Sequence, residues 1–209
     1  MVTSEDLEFE LPNRGDDRPG LDDLDEPDTV SDDLADELAD DDDDELDYPD
    51  DATDEDVDLI VALYREDGQP MALALDYDLA NDLEALITQL RRIPGDGGAV
   101  ALISIASEVF LIIRVRGKHV QVFCSDAVAA NDWPLARDVV DLLGIEVPDE
   151  EDDSVPAGDL GILADVGLHD FELEAMAEDL EEDSATLVER IAARLKFGPE
   201  FAKALNSFE

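Results

Sequence analysis

The sequence predicts an α+β fold: a mainly antiparallel sheet with helices packed on one face, followed by a small all-helical unit. Three observations lead there. Apolar stretches of period 2 are separated by short turn signals, segments of period 3.6 interrupt and follow them, and beyond residue 158 the period is helical throughout. In order, the elements read ββαβββα over 57–145, an acidic linker over 146–157, and helices over 158–209.

VDLIVALYRE (57–66) places Val57, Leu59, Val61 and Leu63 on one strand face. Asp67-Gly68 is a hairpin turn signal, and MALALDY (71–77) is the returning strand. A helix follows over 79–92. Leu79, Leu83, Leu86, Ile87 and Leu90 form its stripe, acids occupy its first turn, Arg91-Arg92 its last, and Pro94-Gly95 stop it. The runs 99–107, 108–117 and 118–126 make a meander that turns at Ser107-Glu108 and Gly117-Lys118. Pro134 suits a first helical position, with Leu135, Val139, Leu142 and Leu143 inward and Gly144 at the end. After the linker, a helix near 170–181 turns Leu173, Met176, Ala177 and Leu180 inward. Ser184 then caps a helix with Leu187, Val188, Ile191 and Leu195 inward, and Gly198-Pro199 opens a short last one. A helical unit this small is expected to dock on the sheet domain.

Charge is spread unevenly. The chain has 59 acids against 13 bases, a net −46. Residues 1–56 hold 27 of the acids with only Arg14 and Arg18, net −25, leaving 32 acids and 11 bases, net −21, for the rest. Residues 1–56 have too few apolar side chains to offset ordering entropy and read as a disordered acidic tail. Within it, SDDLADELADD (31–41) has Ser31 as an N-cap and Leu34 and Leu38 at i,i+4. It reads either as solubilising sequence with accidental leucines or as a motif that folds on a partner. Such a field repels phosphate backbones and attracts basic protein surfaces, so no direct nucleic-acid contact is expected. MVTSEDLEFE lacks a basic n-region and an apolar h-region, and the longest apolar run, VFLII (109–113), is far too short to span a bilayer. A cytoplasmic protein without membrane contact is expected.

Tests for chemistry return little. Cys124 is the only cysteine, and neither His119 nor His169 is followed two residues later by Glu, so the H-x-E and P-C-x-x-C signature of nucleobase deaminases is missing. GDGGAV (95–100) follows a helix and opens a strand, the reverse of a dinucleotide loop. No Gly lies between Gly20 and Gly68, so the aspartate run contains no EF-hand loop. No catalytic, cofactor-binding or metal-binding residue is assigned, no cofactor is expected, and the protein is not expected to be an enzyme. Two alternatives stay open: a small-substrate enzyme gathering Cys124, Ser125 and Asp126 with a histidine, and a self-associating acidic protein.

RVRGKH (114–119) concentrates bases in an acidic chain. If Gly117-Lys118 is a two-residue turn, Arg116 pairs with His119, Arg114 with Gln121 and Ile112 with Phe123. Arg114, Arg116, Lys118 and His119 then gather at a hairpin tip whose basic face continues into Phe110, Ile112 and Phe123. These seven residues are the candidate partner contact. The plainer reading is a solvated tip whose charges discourage edge pairing, and a third is self-contact with the acidic tail.

The segments RVRGKHVQVFCSDAVAANDWPLARDVVDLLGIEVPDE (114–150), PAGDLGILADVGL (156–168) and FGPEFAKAL (197–205) carry a family likeness. Over roughly 57–207 the chain resembles the tRNA adenosine deaminase-associated proteins of actinobacteria. The shared marks are the arginine-bearing strand before Gly117, Ser125-Asp126, the Asp132-Trp133 helix start, Pro148, and Pro156 to Leu160. The resemblance implies a non-catalytic partner or regulator of the deaminase that makes wobble inosine, and it assigns no functional residue. A tRNA-binding enzyme presents basic surface, onto which an acidic companion could dock.

Overall fold

In the computed structural model, which describes residues 48–207, six antiparallel strands form one sheet in the order β2-β1-β3-β4-β5-β6. The strands are β1 Val57–Glu66, β2 Gln69–Ala74, β3 Ala99–Ile105, β4 Val109–Arg116, β5 His119–Cys124 and β6 Ala157–Gly158. The helices are α1 Leu83–Arg92, α2 Pro134–Leu143, α3 Asp170–Ala177, α4 Ser184–Arg194 and α5 Gly198–Leu205. The α+β reading holds. The acidic segment 31–41, and the rest of the tail up to residue 47, lies outside the described residues.

Helices lie on both faces of the sheet. On one, Leu86 and Leu90 of α1 and Leu135 and Val139 of α2 pack on Ile60, Ala62, Ile103, Leu111 and Ile113. On the other, Leu173 of α3, Leu187, Val188 and Ile191 of α4 and Phe201 of α5 pack on Leu59, Val61, Leu63, Leu102, Phe110, Ile112 and Phe123. Burial on both faces accounts for the near-continuous apolar runs of β1 and β4, since alternation is needed only where one face is wet. The described residues fall within one compact unit.

Local chemistry moves several boundaries. Asp82 accepts a hydrogen bond from the Ala85 amide at 2.8 Å, so α1 starts at Leu83 and the preceding turn, Tyr77–Asn81, is a separate 3-10 piece. A bulge after Val57 shifts the register, pairing Val57 with Ile105 but Leu59 with Ser104. Val57 therefore leaves the stripe of Leu59, Val61 and Leu63 and packs with Ala52 and Ala80. The bulge frees Asp58 to hold the β3–β4 turn, where Ala106 and Ser107 take φ of 53° and 59°. Asp58 accepts from the Ser107 amide at 2.7 Å, the Ser107 hydroxyl at 3.1 Å and the Ser104 hydroxyl at 2.8 Å. Ser184 is not the cap of α4. Its Oγ lies 2.6 Å from that of Ser104, both residues are buried, and Asp183 caps the helix instead.

Two segments are more ordered than their composition suggests. Asn81 donates to the Ala52 carbonyl at 2.9 Å and accepts from the Ala52 amide at 2.8 Å, while the Tyr48 hydroxyl donates to Asp138 at 2.8 Å. The disordered reading of 1–56 therefore does not hold for 48–56. The acidic linker also joins the sheet, because its last residue, Ala157, pairs with Cys124 as part of β6. Leu142 and Leu180, placed in buried stripes by period, are exposed; α3 ends at Ala177, before Leu180.

Candidate functional site

The hairpin of β4 and β5 has the register that its turn predicts: Arg116 opposite His119, Arg114 opposite Gln121, Ile112 opposite Phe123. Gly117 supplies the positive φ, 60°, that opens the turn. Lys118 and His119 are exposed at the tip. Below them the candidate contact set divides. Phe110, Ile112 and Phe123 are completely buried beneath the chain's own C-terminal helices, with the two phenyl centroids 5.9 Å apart. A partner could reach them only by displacing those helices, so they cannot serve as an open contact face.

Arg114 is buried as well, 5 % exposed. Its guanidinium donates to both carboxylate oxygens of Asp165 and to the Ile162 carbonyl, the last at 2.5 Å. Planar guanidinium and carboxylate meet here two-on-two, the geometry that makes such pairs strong and directional. Arg116 reaches the same Asp165 at 3.3 Å and donates to Gln121 at 2.8 Å. The hydrogen bond and charge of Arg114 hold the Asp165 carboxyl below the ordinary aspartate value, with Arg116 adding to the effect. Much of the basic face is thus internal wiring: it fastens the segment before α3 to the sheet.

Where the helical layer stops, the sheet face continues as a cleft of about 390 Å³. Period 2 explains its floor. Leu59, Val61 and Leu63 lead to Arg65 on β1, Phe110, Ile112 and Arg114 lead to Arg116 on β4, and Leu102 and Val100 lead to Gly98 before β3. Two arginines therefore flank Gly98, which leads into the strand between them. Val166, Leu195 and Phe197 wall the cleft from the helical side, and Asp96 and Gly97 also line it. Arg65 lies 4.8 Å over the Phe197 ring and donates to the Leu195 carbonyl at 3.3 Å. Sequence reasoning missed Arg65, Gly98, Asp165 and Phe197. The available signal was a charged residue continuing an apolar period-2 stripe.

Gly98 has φ 84°, and a Cβ built on it would meet the Val115 carbonyl oxygen and the Arg116 backbone. Gly98→Ala is expected to lower stability by about 1–3 kcal/mol, the usual cost of a strained left-handed residue. Urea unfolding measures it, and a loss below about 0.5 kcal/mol, within the surface range, would contradict the geometry.

The cysteine site looks different. Cys124 is buried, its thiol donates to the Asp126 carbonyl at 3.0 Å, and loss of solvent pushes its pKa up to about 12. Ser125 is buried with its Oγ accepting from the Phe110 amide at 3.0 Å. His119 sits at the opposite end of β5, and His169 caps α3. The structure does not bring a histidine to Cys124, Ser125 and Asp126. Thiol reagents are expected to modify Cys124 only as fast as the protein opens, and rapid labelling of the native protein would overturn this burial. Among the described residues, no group of three or more His, Cys, Asp or Glu side chains could hold a metal ion. No helix of the described residues is long and apolar enough to cross a membrane.

Comparison with known proteins puts a family to this architecture. The model of the Rv3753c-like tRNA adenosine deaminase-associated protein family matches residues 58–198. The chain belongs to this family. The match runs from β1 to the start of α5. Protein Rv3753c of Mycobacterium tuberculosis (strain ATCC 25618 / H37Rv) is 29 % identical over 149 residues, which cover 70 % of this chain and 86 % of that protein. No solved structure matches.

Proposed function

We propose that this protein is a non-catalytic accessory protein that binds a tRNA adenosine deaminase in the cytoplasm and needs no cofactor. The family's description supplies the association. The observation that carries the non-catalytic part is the state of Cys124: the one thiol is sealed in the core with its pKa near 12, and the H-x-E zinc signature is missing from the whole sequence.

Charge favours the partner. At net −46 the chain is drawn to the basic surface that a tRNA-binding enzyme must present, and it is repelled by tRNA itself. It docks on the enzyme and tunes access or solubility there, through protein–protein contact. The test is co-elution with the tRNA adenosine deaminase of the same genome on gel filtration, in low salt and again in high salt. A joint peak that weakens as salt rises is expected, because exposed charge pairs are screened. Separate peaks in both conditions would contradict the proposal.

A further inference from the structure

The arginine cleft has a charge state unlike the chain around it. Arg65, Arg114 and Arg116 line it against Asp96 and Asp165, three positive groups to two negative, in a chain of net −46. The excess has an address. Asp165 takes Arg114 through both oxygens, and Arg116 shares it. Among the described residues Arg65 bonds only to carbonyl oxygens, that of Leu195 at 3.3 Å and that of Gly68 at 3.5 Å. Among the described residues no carboxylate lies within ion-pair distance of it. Carbonyls fix the guanidinium in place without neutralising it, and the Phe197 ring holds one of its faces.

The rest of the cleft is mostly apolar, with Leu63, Val100, Val166 and Phe197 on its walls. A cavity of about 390 Å³ falls within the range of small-molecule sites, which pair apolar walls with a few fixed polar groups. An inorganic anion would leave those walls wet. A neutral apolar molecule would leave Arg65 without a counter-charge. A polyanion would meet Glu66 and Asp67, both exposed directly after Arg65. We infer that the cleft binds a small amphipathic anion, an aromatic or aliphatic body bearing one anionic group, with that group on Arg65 and the body against Val100 and Phe197. This inference does not rest on the proposed association with a deaminase.

Fluorescence titration of the full chain tests it with two dyes of one shape. Anilinonaphthalene sulfonate has a naphthalene body with one sulfonate, and phenylnaphthylamine has the same body uncharged. The sulfonate is expected to bind saturably, one to one and about tenfold tighter than the neutral dye, the gain expected of a charge-assisted contact. Phenylbutyrate should displace it and inorganic phosphate should not. Arg65→Met should weaken the sulfonate about tenfold and leave the neutral dye unchanged. Equal affinity for the two dyes, displacement by phosphate alone, or wild-type sulfonate binding in Arg65→Met would overturn the inference. Gly97→Phe keeps every charge and guards against a folding defect in the arginine variant. Gly97 lines the cleft, is not left-handed, and has open space around an added Cβ. This variant should weaken both dyes, and unchanged binding would place the dye elsewhere.

Discussion

Phe123→Ala is expected to lower the unfolding free energy by about 3–5 kcal/mol, the range for emptying a phenyl-sized site in a packed core. The ring is fully buried on β5, tilted 38° against Phe110, in the cluster that joins the sheet to α3, α4 and α5. Its loss removes transfer energy and opens a cavity that strands on both sides cannot close. Were Phe123 part of an open contact face, the same change would cost under about 0.5 kcal/mol and would appear only in partner binding. Denaturant unfolding of the full chain therefore separates a core residue from a contact residue in one experiment.

Asp165→Ala is expected to cost about 2–3 kcal/mol, below the 3–5 typical of a broken buried pair because Asp165 itself is 53 % exposed. What remains is a guanidinium 6 % exposed with only the Ile162 carbonyl for company and Arg116 beside it. Removing the other partner is expected to be milder. Arg114→Met fills the space with an apolar chain and leaves Asp165 in water, so a loss near 0–1 kcal/mol is predicted, as in well-packed replacements of buried ions. Urea unfolding of the two variants checks the asymmetry, and equal losses would contradict it. Acid acts on the same pair. The carboxyl of Asp165 titrates below its ordinary 3.8 in the folded state, so its contribution is complete above that value and fades as pH falls through the lowered one. Asp165→Asn should show a shallower loss of stability over that acid range than the parent.

Much of this fold was legible in the residues. The β4–β5 register follows from Gly117-Lys118 and strict alternation, and α2 from Pro134 and Gly144, the latter left-handed at φ 65°. The runs LIVAL and VFLII also carried information that a one-face reading discards: strands this apolar need cover on both sides. β6 was hidden because two residues show no period, and Ala157 gains its place only by pairing with Cys124. The role of Arg114 was hidden for a related reason. A base at a strand end looks solvated until a carboxylate 51 residues away reaches it, and local pattern does not report such pairings. The cleft arises in the same way, where two β-strand stripes run past the helices that cover them.

Isothermal titration of the full chain into the tRNA adenosine deaminase of the same genome tests the central claim most directly, in low and moderate salt. A fragment lacking residues 1–47 serves as a second titrant, since Tyr48 onward carries the whole described core. The account predicts saturable heat for both chains, weaker as salt rises and weaker without the acidic tail. No heat from either chain in either salt would contradict it.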